Sequence, residues 1–113
     1  MNIEELRTIC ISMPKVTEEF PFDQDTLVFK VAGKMFALIS LSNPETVNLK
    51  CDPETAIELR ERYNGVKPGY HMNKKHWNTV MMDGDYNDQL LKSWVLNSYH
   101  LVYNKLPKKL KNE

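Results

Sequence analysis

The chain has 113 residues, of which 42% are hydrophobic and 27% are charged, and 15 basic side chains balance 15 acidic ones. This length and composition predict one globular domain, residues 1–113, whose core needs no metal or disulfide, and they argue against a disordered chain. The apolar runs are too short to cross a bilayer, and the acidic N-terminus lacks the features of a signal peptide. We therefore expect a cytoplasmic protein with no membrane partner.

Charge is distributed unevenly between the two halves of the chain. Residues 1–60 carry 6 basic and 10 acidic side chains, whereas residues 61–113 carry 9 basic and 5 acidic ones. Any attraction to phosphate is therefore expected in the second half. The two cysteines, Cys10 and Cys51, have no CxxC spacing, so buried, reduced thiols are favoured over a disulfide or a redox pair.

The first residues predict a helix from Asn2 to Met13. Asn2 is a good N-cap, and Glu5 three residues later completes a capping-box pattern. Apolar residues recur at helical spacing along this stretch, which indicates one buried face. Pro14 is expected to end the helix, because proline removes a backbone donor and clashes with the preceding turn.

Three runs of strand-forming residues follow. They are preceded by a short segment, EEFPF, that is expected to be a connecting loop, and they lie at residues 26–31, 35–41 and 46–51. Gly33 permits the positive φ of a tight hairpin between the first two runs. Because the connections are short, an antiparallel meander of three strands is predicted.

The remainder of the chain predicts a helix, one or two further strands and a long final helix. Asp52 starts the first of these helices, which is expected to reach Tyr63 and to close at Gly65 in a left-handed turn. A strand is predicted at residues 77–82, and the final helix at residues 87–104. Its expected buried face comprises Leu90, Leu91, Trp94, Val95, Leu101 and Val102.

Strands grouped together, rather than alternating with helices, indicate an α+β fold with an antiparallel sheet and helices packed on one face. Leu106-Pro107 is expected to stop the final helix. A short basic tail at about 105–113 follows. Its lysines are typical of a solvated terminus, and they could also extend a phosphate-binding face.

The segment YHMNKKHWNT, residues 70–79, is the least ordinary part of the chain. Its lysines, asparagines and histidines are suited to phosphate contacts, and its aromatic rings are suited to stacking on bases. The same residues are equally consistent with a solvated hairpin in which Tyr70 and Trp77 pack inward. For Trp77 the sequence leaves the choice between core and contact surface open.

Catalytic and metal sites are poorly supported. Glu18, Glu19, Asp23 and Asp25 are expected in connecting loops, where carboxylates usually face solvent. The three histidines at 71, 76 and 100 match no standard zinc pattern. The sequence therefore predicts no enzyme, no metal and no cofactor.

Six stretches of the chain together resemble the MmcQ/YjbR-like family of small bacterial proteins. They are EEFPF at 18–22, VFKVAGKMFALI at 28–39, VNLKCDPE at 47–54, PGYHMNKKHWNTV at 68–80, SYHLV at 98–102 and LPKK at 106–109. The resemblance covers nearly the whole chain. It implies a fold similar to that of CyaY and frataxin, and a DNA-binding function through a double-wing arrangement.

The contact surface that the resemblance implies falls on the unusual segment. It comprises Tyr70, His71, Asn73, Lys74, Lys75, His76, Trp77 and Asn78, with Lys30 and Lys34 beside the first hairpin as a second wing. Iron binding is not carried over from frataxin, because the acidic helical ridge that it needs is missing here.

The leading hypothesis is a monomeric, non-enzymatic nucleic-acid-binding domain, with DNA as its partner and weak, salt-dependent affinity. Sequence specificity is not expected, because no recognition helix stands out. The alternative is a pocket for a small molecule or peptide, walled by Tyr70, His71, His76 and Trp77. A protein-interaction adaptor is a third possibility, and the sequence does not distinguish DNA from RNA.

Overall fold

The computed structural model describes the backbone of residues 1–112 and the side chains of residues 1–111, so Glu113, the last residue of the predicted domain and tail, lies outside the described residues. The helices are α1 (Ile3–Ile11), α2 (Pro53–Arg62), α3 (Asp88–Tyr103) and α4 (Lys108–Asn112). The strands are β1 (Val16–Glu19), β2 (Thr26–Val31), β3 (Lys34–Ser40), β4 (Thr46–Lys50), β5 (Val66–Pro68) and β6 (Trp77–Met81). None of the helices so described is long and apolar enough to cross a membrane.

The strands form a six-stranded sheet in the order β1-β2-β3-β4-β6-β5, and each neighbouring pair is antiparallel. The first four strands are a meander, as short connections require. The chain then crosses through α2, returns along the outer strand β5, and fills the gap beside β4 with β6. The predicted α+β class with an antiparallel sheet is confirmed.

The helices and one face of the sheet enclose the main core. Alternate residues of β2 point into it, namely Leu27, Phe29 and Val31, together with Leu6 and Cys10 of α1. Of the predicted buried face of the last helix, Leu91, Trp94, Val95 and Val102 are buried, and Leu90 and Leu101 are half-buried. The helices of the main core pack on this one face of the sheet. The opposite face is called the open face below.

The predicted turn and cap chemistry is present at both places where it was clearest. In α1 the Asn2 side chain accepts a hydrogen bond from the Glu5 backbone N–H at 2.8 Å, and the Glu5 carboxylate accepts one from Asn2 at 3.2 Å. In the β2–β3 hairpin, Ala32 and Gly33 have φ values of 48° and 84°. The helix ends at Ile11, two residues before the predicted Met13.

The EEFPF segment is not only a connecting loop. Glu18 and Glu19 belong to strand β1, which pairs with β2 along its whole length. The polar sequence VTEE carries little apolar alternation, so its strand character comes from the free edge of β2. Glu18 forms an ion pair with Arg7, and Glu19 forms one with Lys30. Both carboxylates therefore hold the outer strand β1 to its neighbours.

Gly65 does not close α2 in a left-handed turn, so that prediction was wrong. Among the described residues only Lys15, Ala32, Gly33 and His71 have positive φ. Asp85 instead accepts the backbone N–H groups of Asn64 and Gly65, both at 2.9 Å. Glycine is needed for closeness, because a Cβ at position 65 would lie 2.6 Å from the Tyr86 hydroxyl.

The basic tail was predicted as a solvated terminus, and it is partly helical. The Pro107 carbonyl accepts the Leu110 N–H at 2.9 Å, and residues 108–112 form α4. Leu106 is buried in the main core. Lys105, Lys108 and Lys109 are exposed, as predicted for a solvated terminus.

Both cysteines are free thiols, and Cys10 is buried while Cys51 is half-buried. Burial raises the pKa of Cys10 to about 12, with a smaller contribution from the charge of Glu18. Burial also raises the pKa of Cys51 to about 11, and the neighbouring Asp52 adds to the effect. Both thiols are therefore protonated at neutral pH.

We expect the native protein to be alkylated slowly by iodoacetamide at pH 8. The thiolate is the nucleophile, and a pKa of about 11 for Cys51 leaves roughly one thiol in a thousand ionised. Mass spectrometry of the native and the urea-unfolded protein measures both rates. Equal rates for Cys10 in the two states would contradict its placement in the core.

Candidate nucleic-acid interface

The open face of the sheet carries a second, smaller hydrophobic cluster. Val28, Leu38 and Trp77 are its buried members, and Met35 and Met72 pack against them. Residues 69–76, called the motif loop below, connect β5 to β6 and supply Met72. The loop therefore covers part of the face that no helix of the main core covers.

Trp77 belongs to this cluster and is only 4% exposed. Its ring lies beside Val28 and Leu38, and the Lys50 ammonium is 5.2 Å from the ring centroid, within the range of a cation–π contact. The choice that the sequence left open is thus settled in favour of core. Trp77 is corrected from a contact residue to a buried one.

Asn78 is also buried, at 1% exposure, and its side chain is fully occupied within the fold. Its amide donates to the Ala56 carbonyl at 3.3 Å, and its oxygen accepts from Arg60 Nε at 2.6 Å. The predicted place of Asn78 on a contact surface was therefore wrong. A buried asparagine must satisfy its polar atoms internally, and here it joins β6 to α2.

Arg60 is the residue that fixes the motif loop. Besides Asn78, its guanidinium donates to the carbonyls of Trp77, at 3.2 Å, and of Lys74. One side chain of α2 thus binds the Lys74 carbonyl of the loop and two groups at the start of β6. We call this set of hydrogen bonds the Arg60 latch.

Further hydrogen bonds secure the start of the loop. The Gly69 N–H donates to the Trp77 carbonyl at 2.9 Å, and the Tyr70 N–H donates to Thr79 Oγ1 at 2.8 Å. Lys74 Nζ donates to the Gly69 carbonyl at 3.0 Å, which closes the loop on itself. A Cβ at position 69 would lie 2.8 Å from that of Trp77, so glycine is required there.

The exposed part of the predicted contact surface is smaller than the sequence suggested. Tyr70 is 69% exposed, and its ring lies 4.0 Å from the ring of His71, centroid to centroid. His71 has a φ of 59°, a left-handed conformation that is strained for a residue with a Cβ. The remaining exposed members are Asn73, Lys74 and Lys75, and His76 is half-buried.

The four residues predicted to line a single ligand pocket do not line the same cleft. Tyr70 and His71 line a cleft of about 520 Å³ on the open face. His76 and Trp77 line a different cleft, of about 460 Å³, at the end of the sheet. The predicted single pocket is therefore corrected to two separate clefts.

The two lysines of the predicted second wing have different surroundings. Lys30 forms an ion pair with Glu19 at 3.2 Å, so its charge is largely neutralised. Lys34 begins β3 beside the hairpin turn and is exposed, and no carboxylate in the described part of the chain forms an ion pair with it. Lys34 is accordingly the better candidate for a phosphate contact.

Charge is separated along the strand direction. The end of the sheet where β3 starts and β4 finishes, called the basic end below, carries Lys34, Lys50, His76 and Lys105 around one cleft. Asp52 also lies at this end, but it caps α2 and does not line the cleft. The opposite end carries three carboxylates. Asp25 precedes β2, Glu45 precedes β4, and Asp83 follows β6.

Sequence reasoning missed two residues that matter at this site, Arg60 and Lys50. Lys105 was predicted within the basic tail, but its place beside Lys50 in one cleft was not predicted. Arg60 lies four residues after the buried Ala56, so it interrupts the inward face of α2. An arginine on an inward helix face is the one signal that pointed to a buried polar partner. Across residues 1–112, no three His, Cys, Asp or Glu side chains are grouped as metal ligands.

Comparison with known proteins gives relatives along nearly the whole chain. A family model described as YjbR matches residues 11–101. YbdF of Escherichia coli O157:H7 is 36% identical over 107 residues, which are 94% of this chain and 88% of the relative. YjbR of Escherichia coli strain K12 is 35% identical over 108 residues, which are 95% of this chain and 92% of the relative.

Two solved structures are similar as well. The crystal structure of the Deinococcus radiodurans protein DR2400, a DUF419 domain, matches with a TM-score of 0.90 and 41% identity, covering 97% of this chain and 85% of that one. A Pseudomonas syringae protein matches with a TM-score of 0.73 and 27% identity, covering 89% of this chain and 98% of that one. The six-stranded α+β architecture is thus shared with proteins of known structure.

Arg60→Ala is expected to lower the free energy of unfolding by about 2–3 kcal/mol, because it leaves the buried Asn78 oxygen without its donor. Amide exchange at Met72 and His76 should also become faster as the loop loosens. Urea denaturation and hydrogen exchange measure the two effects. Arg62→Ala is the matched control on the exposed end of α2, and equal stability of the two variants would contradict the Arg60 latch.

Trp77→Ala is expected to cost about 3–5 kcal/mol of stability, as is usual for removing a buried aromatic side chain. Phe22→Ala, at a position that is 65% exposed, should change stability by less than about 0.5 kcal/mol. Thermal and urea unfolding of the two variants provide the comparison. A Trp77 variant as stable as the Phe22 variant would return Trp77 to the contact surface.

Proposed function

The chain belongs to the YjbR family, and from that premise we propose that it is a non-enzymatic DNA-binding domain whose basic end contacts phosphates. The observation that supports this most is the separation of charge along the strands. A protein with balanced net charge attracts a polyanion only if its cations are collected on one surface. Lys34, Lys50 and Lys105 are collected in this way, beside His76.

The contact surface that we propose is a revision of the one implied by the resemblance. Lys34 on the hairpin and Lys75 on the motif loop are exposed, and they represent the two wings of a double-wing arrangement on a CyaY-like fold. Lys34 and His76 line the same cleft, so the two wings are adjacent. The lysines of α4 extend the surface, and Tyr70 is the exposed ring available for stacking.

Binding through these groups should be weak, salt-dependent and largely independent of base sequence. Only a few cations are available, and each contributes mainly through displaced counterions. The lysines that line the cleft at the basic end lie at strand ends and in the segment after α3 rather than on a recognition helix, so we expect phosphate contacts to dominate. The proposal includes a monomeric protein in the cytoplasm, where DNA is accessible, with no membrane, metal or cofactor required.

The double variant Lys34→Ala with Lys75→Ala is expected to flatten the dependence of log K on log salt by about 1.8, since each phosphate contact on B-DNA contributes about 0.9. Fluorescence anisotropy of a labelled duplex, titrated at several salt concentrations, measures the slope. Because both lysines are exposed, their removal should change stability by less than about 0.5 kcal/mol.

The matched control is Arg62→Ala with Lys92→Ala, which changes net charge equally. Arg62 is exposed at the end of α2, and Lys92 lines a different cleft beside Asp88. The control should keep the wild-type slope. Wild-type protein without salt-sensitive binding at tens of micromolar, or equal slopes for both double variants, would overturn the proposed function.

A further inference from the structure

The cleft at the basic end has properties that phosphate contacts on a duplex do not use. Its volume is about 460 Å³, which is within the usual size of small-molecule sites. It is formed by the start of β3, the end of β4, the start of β6, and the last turn of α3 with the segment that follows it. Side chains from four parts of the chain therefore converge on one recess.

The polar lining of the cleft is of one sign. Lys34, Lys50 and Lys105 line it together with His76, and none of the carboxylates that the structure describes lines it. Burial lowers the pKa of Lys50, and the nearby charge of Lys105 lowers it further. Two ammonium groups in mutual repulsion, without a carboxylate between them, favour a bound anion.

Apolar residues form the rest of the cleft wall. Trp77, Val102 and Leu106 are buried residues that form part of its wall, and Met35 and Leu101 are half-buried beside them. The cation–π contact between Lys50 and Trp77 brings the charged and apolar parts together. A bare inorganic anion would leave this apolar surface in contact with water.

We propose that this cleft binds a small amphipathic anion, an organic molecule with an apolar body and a carboxylate or phosphate head. The head would accept hydrogen bonds from Lys50 and Lys105, and the body would pack on the half-buried Met35 and Leu101 beside Trp77. This site goes beyond DNA binding, because a duplex presents phosphates at the rim but has no apolar body to insert.

The probes are phenyl phosphate and phenylacetate, which carry the same ring on the two kinds of head. Inorganic phosphate tests the head alone, and benzyl alcohol tests the ring alone. Each is titrated into the ¹⁵N-labelled protein, with the indole N–H signal of Trp77 as reporter and that of Trp94 as internal reference. We expect saturable shifts at Trp77 with at least one aromatic anion, at a Kd at least tenfold lower than for either control compound.

Lys105→Gln should weaken binding of the aromatic anion by about tenfold, because it removes one charged hydrogen-bond donor while keeping most of the side chain. Lys92→Gln is the matched control, because Lys92 lines a different cleft, and this variant should bind like the wild type. Both lysines are exposed, so both variants should fold. Comparing phenyl phosphate with phenylacetate then identifies which head the cleft prefers.

Three results would overturn this site. They are the absence of saturable shifts at Trp77 up to 10 mM of either aromatic anion, equal binding by inorganic phosphate, and equal binding by the Lys105 and Lys92 variants. The titration contains no nucleic acid, and Lys105 is not changed in the DNA experiment. Failure of DNA binding and failure of this site are therefore separate outcomes.

Discussion

The Arg60 latch determines which residues of the motif loop face solvent. A single guanidinium binds the Asn78 side chain and two backbone carbonyls, and this holds the loop across the open face of the sheet. The loop then buries Trp77 over Val28 and Leu38 and leaves Tyr70, His71 and Lys75 outside. The loop supplies Met72 to the small cluster, which lies on the face of the sheet opposite the helices of the main core.

The antiparallel pairing of the strands places basic and acidic side chains at opposite ends of the sheet, although the net charge is zero. In an antiparallel sheet the start of one strand lies beside the finish of the next. Lys34 and Lys50, which are far apart in sequence, therefore come together with His76 at the basic end. The carboxylates that precede β2 and β4 lie at the opposite end of the strands. Charge balance in the sequence is therefore compatible with a surface that attracts anions, and both proposals depend on that surface.

The sequence predicted what depends on local chemistry. The capping box at Asn2, the hairpin at Gly33 and the apolar alternation of the central strands are each encoded within a few residues. Strand β1 could not be predicted in this way, because VTEE becomes a strand only by pairing with β2. The basic end has the same origin, since Lys50 and Lys105 are neighbours only in the folded chain.

The sequence predicted a contact surface whose members differ in exposure, because the motif includes the residues that fix the loop as well as those it exposes. Tyr70, His71 and Lys75 face solvent, whereas Trp77 and Asn78 are buried. The most direct test of the account is a titration of the ¹⁵N-labelled protein with a 12-base-pair duplex at low salt. We expect amide shifts concentrated at residues 32–35, 73–76 and 104–109, at the basic end. Shifts centred instead on residues 23–25, 43–45 and 83–85, or none at all, would contradict it.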